Sequence, residues 1–185
     1  VGSVGSFSFS APKIISTGQG GAIITDDDEL ALKLRRLKDF GRDGGGSDIH
    51  SSIGFNFKFT ELQAVIGIEQ MKKLSERVAR KKEIFLKFKL GLSKIGQVKV
   101  FEHDISNTAP WFIDVLVEDR EGLMNYLKEN GIGTRVMYPP LNKQKAYNVD
   151  SFHSVSENIG NHGLWLPSMV QLTNEQIDTI CSHIK

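Results

Sequence analysis

The sequence predicts an α/β chain in two parts, the second of which is a small α+β lobe. One observation is a pair of strand-like stretches, Phe7 to Phe9 and Ala22 to Thr25, on either side of a turn that holds one lysine. Another is a long helical pattern from Thr60 to about Lys89. After it, strand and helix patterns follow in the order strand, strand, helix, strand, helix, which favours an antiparallel sheet.

Composition limits the classes of protein to which the chain can belong. Of 185 residues, 39% are hydrophobic and 24% are charged, as is typical of a globular protein. The net charge of +1 gives no overall field that would attract nucleic acid, and we expect no nucleic-acid partner. No apolar run approaches the roughly 20 residues that a membrane span needs. The single cysteine, Cys181, and the absence of a secretory leader in these residues lead us to expect a cytoplasmic protein.

The first part of the chain contains two helix-start signals. Asp26 with Glu29 predicts a capping box and a helix to about Lys38, after which three consecutive glycines break the pattern. Thr60 with Gln63 predicts a second capping box. One long helix is expected to follow, with its apolar face formed by Leu62, Val65, Ile66, Met71, Leu74, Val78, Phe85 and Phe88.

The second part alternates between strand and helix patterns. "QVKVF" and "PWFIDVLVE" predict strands, "REGLMNYLKENG" predicts a helix that Gly131 ends, and "IGTRVMY" predicts a strand before the Pro139–Pro140 turn. Thr173 with Gln176 predicts a capping box for a last helix, from Glu175 to Ile184. These elements predict a small α+β domain.

Lys13 is the candidate reactive residue. A lysine that forms a Schiff base must lose its proton near neutral pH, which requires partial burial or nearby positive charge. Lys13 follows Pro12 between two apolar strands, with Ser6, Ser8 and Ser10 close by as possible donors to a phosphate. The alternative is an ordinary solvated lysine. The following "GQGG" could cradle a phosphate or simply form a turn.

Other motifs point to weaker alternatives. The five histidines are scattered without helical pairing, and we therefore expect no metal site. The basic run "RVARKKEIFLKFK" could bind nucleic acid, but helical spacing favours the solvated face of the long helix. The basic residues on that face are Arg77, Arg80, Lys81, Lys82, Lys87 and Lys89.

Four segments together resemble a known family. "FSFSAPKIISTGQGGAIITDDDELALKLRRLKDFGRD" and "IGFNFKFTELQAVIGIEQMKKL" are similar to the DegT/DnrJ/StrS family of sugar aminotransferases. So are "GTRVMYPPLNKQKAY" and "GLWLPSMVQLTNEQIDTICSHI", in the same order along the chain. The resemblance implies pyridoxal 5'-phosphate as cofactor, bound on the fold type I architecture of aspartate aminotransferase.

The resemblance assigns cofactor-binding roles to three residues. Lys13 matches the lysine that attaches covalently to the cofactor and then moves the substrate proton. Ser8 matches a residue that hydrogen-bonds the cofactor phosphate. Asn56, in "GFNFKFTELQ", matches an asparagine that reaches the phosphate in the neighbouring subunit. The resemblance therefore implies a homodimer with shared active sites.

Three further residues match substrate-binding positions, and at two of them the residue departs from the family pattern. Lys58 stands where the family usually has arginine, which keeps the charge but loses the planar fork. Asn142 stands where a histidine is common, which puts its substrate contact in doubt. The alternative for Tyr138 and Asn142 is an ordinary turn after a strand.

The resemblance also implies an overall function and a domain organisation. Residues 1–75 would be the C-terminal part of the cofactor-binding large domain, and residues 76–185 the small α+β domain. Because family members are about twice as long, we expect these residues to be the C-terminal half of a larger enzyme and inactive alone. The whole enzyme would transfer an amino group, usually from glutamate, to a nucleotide-linked keto sugar for polysaccharide or antibiotic biosynthesis. A non-catalytic or regulatory relative of the same fold is the remaining alternative.

Overall fold

The computed structural model describes residues 2–44, 48–147 and 151–185. The chain divides into two compact units, Val1–Ser75 (unit 1) and Glu76–Lys185 (unit 2). No helix within the described ranges combines the length and the apolar character needed to cross a membrane. The parts of an aminotransferase to which the two units correspond stay a prediction.

Unit 1 contains a β-hairpin and two helices. Strands β1 and β2 pair antiparallel, with Phe7 opposite Ala22. Both strands lie within two residues of the predicted ones, and the apolar Ile23 and Ile24 of the second strand are 53% and 59% exposed. The elements are β1 Gly5–Ser8, β2 Gly21–Ile24, α1 Asp28–Lys38 and α2 Glu61–Met71.

The start of α1 differs from the prediction by one residue. Asp27, rather than Asp26, is the N-cap, and its side chain accepts a 2.9 Å hydrogen bond from the Leu30 N–H. At the other end of α1, the backbone of Phe55 donates to the Leu37 carbonyl at 2.7 Å. The chain that leads into α2 is therefore fixed against the end of α1.

The predicted long helix is two helices. Thr60 and Gln63 form the predicted capping box at the start of α2. The helix ends at Met71, and α3 begins at Leu74. Between them the Lys73 N–H bonds the Gln70 carbonyl at 3.1 Å, three residues back instead of four. This tighter turn interrupts the helix although the apolar spacing runs through it.

Unit 2 contains the predicted antiparallel sheet. Its strand order is β3-β4-β6-β5, and every neighbouring pair is antiparallel. Gly131, with φ +73°, follows the end of α4, and Thr173 with Gln176 forms the capping box of the last helix, as predicted. The elements are α3 Leu74–Leu92, β3 Val98–Val100, β4 Ile113–Val117, α4 Arg120–Glu129, β5 Arg135–Val136, a 3-10 turn Leu141–Lys143, α5 Ser154–His162, β6 Gly163–Leu166 and α6 Asn174–Ile184.

Helix α5 and strand β6 were not predicted from the sequence. Strand β6 lies between β4 and β5, with Trp165 opposite Asp114 on one side and Arg135 on the other. All four of its residues are buried. It joins β4 and β5, both of which were predicted as strands, into one sheet.

The hydrophobic core of the described chain lies in unit 2. Helices α3 and α6 and the sheet contribute side chains such as Phe85, Val115, Leu164 and Ile177, each at most 1% exposed. Among the described residues of unit 1, no hydrophobic side chain is buried. The two units therefore differ sharply in how completely they bury their apolar surface.

Candidate active site

Lys13 lies in a loop that leaves the β1–β2 hairpin and returns to it. The Phe9 backbone closes the loop, since its carbonyl accepts from the Thr17 N–H at 3.0 Å and its N–H donates to the Gly20 carbonyl at 2.9 Å. Within the loop, the Lys13 N–H donates to the Ser10 carbonyl at 3.0 Å. The Lys13 side chain is half-buried. Lys13 thus lies on a tight turn whose backbone is fixed by hydrogen bonds.

Two of the three serines lie together beside this turn. The hydroxyl oxygens of Ser8 and Ser10 are 3.1 Å apart, and the Ser10 N–H lies 3.4 Å from the Ser8 hydroxyl oxygen. Ser6 instead lines a cleft of about 770 Å³ between the hairpin, α1 and the start of α2. A primary amine and paired hydroxyls on one turn have the chemistry to hold a ligand with one carbonyl and one phosphate.

The glycine turn that follows has a structural role. The Gln19 carbonyl accepts from the Thr17 hydroxyl at 2.7 Å and from the Gln63 side chain at 2.9 Å. Gly20 has φ +128°, and a Cβ atom there would lie 2.5 Å from the Phe59 ring. These contacts fix the turn against the start of α2 and favour the simple-turn interpretation of "GQGG" over a phosphate cradle.

Asn56 lies on the stretch that leads into α2. Its backbone forms an isolated antiparallel bridge with Asp39, the residue that ends α1. The rings of Phe55 and Phe57 stack on each other at 5.1 Å, so Asn56 lies between two residues that share a side. Within the described residues the Asn56 carboxamide makes no hydrogen bond, and it is exposed. Its two donors and its acceptor are available to a ligand.

Lys58 is held by a carboxylate that the sequence analysis did not single out. Its ammonium lies 3.1 Å from Asp39 Oδ1 and 3.9 Å from the centroid of the Phe40 ring. Asp39 also accepts from Arg42 at 2.7 Å. The hydrogen bonds from Arg42 and Lys58 lower the pKa of the Asp39 carboxyl, so it stays ionised beside Lys58. In the sequence, Asp39 could have been identified from its position after α1 in "KDFGRD", where it lies among basic residues.

Tyr138 follows strand β5 in unit 2. Its ring lies edge-on to Trp165, with the centroids 4.9 Å apart. The guanidinium carbon of Arg135 is 5.6 Å from the centre of the Tyr138 ring. The phenol is 62% exposed. Tyr138 is therefore part of an aromatic and cationic surface, and its substrate role stays a prediction.

The side chain of Asn142 is hydrogen-bonded within unit 2. Its Nδ2 donates to the Ser151 carbonyl at 2.7 Å and to Glu157 Oε1 at 3.3 Å. Because both amide hydrogens are used, only its carbonyl oxygen is left for a ligand. These bonds support the turn interpretation, while a substrate contact stays a prediction.

Several basic side chains of α3 form hydrogen bonds or ion pairs with other residues of unit 2. The prediction of a solvated face is wrong for Lys81, which is 8% exposed and donates to the Trp111 and Ser168 carbonyls at 2.5 and 2.6 Å. Its neighbour Arg80 donates to the Leu172 carbonyl and, at 2.9 Å, to Asn174. Further pairs join Lys87 to Asp178 and Lys89 to Glu102. These contacts make a nucleic-acid surface on this helix a poor interpretation.

Comparison with known proteins identifies the family. The model of the DegT/DnrJ/EryC1/StrS aminotransferase family matches residues 1–185. The chain belongs to this family. The resemblance carried by the four sequence segments is thereby confirmed. This membership implies pyridoxal phosphate as the cofactor, and the serine-flanked lysine turn fits that group.

The curated relatives and solved structures match most or all of this chain. This chain spans only about half the length of each of them. GDP-perosamine synthase of Escherichia coli O157:H7 is 32% identical over 187 residues, which are 99% of this chain and 51% of the relative. A UDP-2-acetamido-2-deoxy-3-oxo-D-glucuronate aminotransferase of Pseudomonas aeruginosa is 31% identical over 90% of this chain and 46% of its own.

The solved structures agree with the predicted fold. A family aminotransferase from Brucella abortus superposes with a TM-score of 0.89 at 30% identity, covering 99% of this chain and 50% of its own. DesV of S. venezuelae, solved with a ketimine intermediate, has a TM-score of 0.86 at 27% identity and covers 99% and 51%. The fold is therefore that of half of a pyridoxal phosphate-dependent sugar aminotransferase.

Proposed function

We propose that this chain is the lysine-bearing half of an aminotransferase that transfers an amino group to a nucleotide-linked keto sugar. The observation that carries the proposal is the position of Lys13 on a closed turn that also carries two paired serine hydroxyls. The family resemblance implies that this lysine is the one that binds the cofactor. The names of the relatives, which include a GDP-sugar synthase and a UDP-sugar aminotransferase, support a nucleotide sugar as acceptor. Glutamate is the amino donor that the family resemblance implies.

Lys13 would hold the cofactor and move protons at its amine nitrogen. Pyridoxal phosphate, when bound, supplies an electron sink that allows a proton to leave the carbon next to the amine. The Lys13 amine, once released from the cofactor, would act as the base that takes this proton and the acid that returns it. Ser8 would donate its hydroxyl to the phosphate, and the adjacent Ser10 hydroxyl would orient that donor.

Asn56 and Lys58 would serve the second site of a homodimer. Asn56 presents an unused carboxamide, which supports a role for it toward a group outside this chain. Lys58 keeps its ammonium beside Asp39, so it would offer an anionic substrate one charge in a fixed place. In this proposal neither active site is complete without the partner subunit.

Residues 1–75 would be the last part of the cofactor-binding domain, and residues 76–185 the small domain. Unit 1 has no buried hydrophobic side chain among its described residues, and Leu62, Ile24 and Phe57 are 80%, 59% and 68% exposed. The chain spans about half the length of the curated relatives that it matches. Both observations support a further segment that covers unit 1 in the whole enzyme. We therefore expect no transamination by the 185 residues alone.

Borohydride trapping tests the role of Lys13. A polypeptide that carries both halves would be incubated with pyridoxal phosphate, reduced with borohydride and mapped by peptide mass spectrometry. We expect one pyridoxyl group, on the peptide that contains Lys13, and its loss in Lys13→Ala. The matched control, Lys33→Ala, removes an exposed lysine of α1 and should keep the label. Labelling of a different lysine, or equal labelling of Lys13→Ala, would refute the assignment.

An activity assay tests the reaction. The same polypeptide would be given ¹⁵N-glutamate and UDP- or GDP-linked 3-keto and 4-keto sugars, and the sugar product examined by mass spectrometry. We expect ¹⁵N in the sugar with the unsubstituted protein and none with Lys13→Ala. Turnover by Lys13→Ala would sink the proposal, and cofactor labelling without turnover on any sugar would favour a non-catalytic relative.

A further inference from the structure

A row of three residues crosses the sheet of unit 2. Strand β6 pairs with β4 and with β5, and in both registers Trp165 is the central residue, with Asp114 on one side and Arg135 on the other. Residues that stand directly opposite each other on neighbouring strands project from the same face of a sheet. A carboxylate, an indole and a guanidinium therefore lie side by side on one face.

Polar and aromatic contacts fix the indole of Trp165. Its Nε1–H donates to Asp114 Oδ1 at 2.7 Å, and His103 Nε2 lies 3.1 Å from the other oxygen of that carboxylate. The Phe112 ring stacks on the indole with the centroids 4.2 Å apart. Trp165 is only 6% exposed. The indole is thus a rigid platform, because its hydrogen-bond donor and the partner of that donor are both satisfied.

Arg135 lies on this platform with its donors unused. Its guanidinium carbon is 5.5 Å from the centre of the Trp165 ring and 5.6 Å from that of Tyr138, within the range of cation–π attraction. The side chain is exposed, and within the described ranges it has neither a hydrogen bond nor an ion pair. Five N–H donors in a planar fork are thereby held in one place without an acceptor.

Arg135 and Trp165 also line a cleft of about 610 Å³. Phe112, Leu166 and Ile180 add apolar wall. The polar groups are few and come from Thr134, Ser168, Gln176 and Thr179. A mostly apolar cleft with a small number of polar groups and one unpaired cation is the usual form of a small-molecule site.

We propose that Arg135 binds an oxyanion of a ligand that lies in this cleft against Trp165. The planar fork matches two oxygens of one carboxylate or phosphate, and the aromatic platform limits the orientations of the guanidinium before the ligand arrives. In the proposed aminotransferase, the anion would be the carboxylate of the amino donor or the diphosphate of the nucleotide sugar. That naming rests on the proposed function, whereas the anion site itself does not.

Tryptophan fluorescence can test the site in the 185-residue chain without cofactor. The chain has two tryptophans, so Trp111→Phe leaves Trp165 as the reporter. This protein would be titrated with L-glutamate, uridine diphosphate, guanosine diphosphate and, as the probe without an anion, uridine. The variants are Arg135→Leu, Arg135→Lys and a matched control, Lys94→Leu, which removes an exposed cation outside the cleft.

We expect saturable quenching by glutamate or by a nucleoside diphosphate, and the active probe identifies the carboxylate or the phosphate as the source of the anion. Arg135→Leu should weaken binding by about 10-fold or more, the value of a charge-assisted hydrogen bond. Arg135→Lys should recover part of the loss, and Lys94→Leu should bind as the parent does. Circular dichroism of Arg135→Leu would confirm that the sheet is intact.

Three results would overturn the proposal. They are no saturable quenching by any of the anions, equal binding by Arg135→Leu and the parent, or binding of uridine as tight as that of its diphosphate. Because no pyridoxal phosphate is present, these results are independent of Lys13. Failure of the anion site and failure of the proposed aminotransferase are therefore distinguishable.

Discussion

The two units of this chain bury their apolar residues very differently. In unit 2, Ile84, Phe88 and Leu164 are fully buried, and they belong to one core that joins α3, α6 and the sheet. In the described part of unit 1, large apolar residues are exposed along both helices and the hairpin. Examples on these elements are Leu62 at 80%, Val65 at 61%, Ile68 at 60% and Ile24 at 59%. Phe57, in the stretch before α2, is 68% exposed.

The difference shows where the proposed chemistry is placed. Lys13, Ser8, Asn56 and Lys58 are all on unit 1, whose described residues form no hydrophobic core. Since apolar burial is the main source of folding stability, we expect unit 2 to fold alone and unit 1 to need a covering segment. Lys13 would then reach its final environment only when the proposed enzyme is assembled.

The largest expected contrast comes from two phenylalanine truncations. Phe88→Ala removes a fully buried ring and should lower the free energy of unfolding by about 3–5 kcal/mol, because it leaves a cavity. Phe57→Ala removes a ring that is 68% exposed and should change it by less than about 0.5 kcal/mol. Urea denaturation followed by circular dichroism, which detects the helices of both units, measures both, whereas the two tryptophans lie in unit 2 alone. Similar losses in the two variants would show that unit 1 has a core in solution.

The pH dependence of stability tests the core of unit 2 through Lys81, which is buried there. Burial lowers the pKa of the Lys81 ammonium from 10.5 to about 8, although the charge of Asp114 opposes the shift. Between pH 8 and 10.5 the native state therefore binds fewer protons than the unfolded chain. Stability should rise with pH across this window, because the buried amine becomes neutral.

Lys81→Met should remove that rise, and Lys82→Met, which changes the neighbouring and less buried lysine, should keep it. The measurement is urea denaturation at pH 7, 8, 9 and 10. The difference in unfolding free energy between the parent chain and Lys81→Met is the quantity to follow. If that difference is constant with pH, the ammonium of Lys81 is not buried as described.

The smallest expected effect comes from the two capping boxes, one of which lies in each unit. Thr173→Ala removes the cap of α6, whose Ile177 and Ile180 enter the core, and should cost about 1 kcal/mol of stability. Thr60→Ala removes the matching cap of α2, which has no buried residue. It should leave the unfolding of unit 2 unchanged in a thermal scan followed by Trp165 fluorescence. Equal shifts in the midpoint would mean that the two units unfold as one.

The two capping boxes also show what could be predicted from sequence. Both were predicted because a cap is a local hydrogen-bond pattern of residues three apart. Strand β6, "GLWL", was not, because a short strand buried on both faces has no alternation to detect. The break between α2 and α3 was missed for the opposite reason, since the apolar spacing continues through a turn that only backbone bonds reveal.

The site divides in the same way. Lys13, Ser8 and Asn56 were predicted because the family motifs carry them, and the structure adds that Ser8 lies beside Ser10. Asp39 and Arg135 were not predicted, because their partners are set by tertiary contacts. Asp39 meets Lys58 across 19 positions of the chain, and Arg135 meets Trp165 through the unpredicted strand. Polar residues outside the core, such as these, have no periodicity that would mark them.

Hydrogen exchange measured by mass spectrometry on the 185-residue chain tests the central difference between the units most directly. We predict strong protection of Ile113–Val117 and Gly163–Leu166, and exchange near the unprotected rate in Gly21–Ile24 and Glu61–Met71. A polypeptide that adds the half present in the relatives should protect the last two segments as well. Protection of Glu61–Met71 equal to that of Ile113–Val117 in the 185-residue chain would contradict the account.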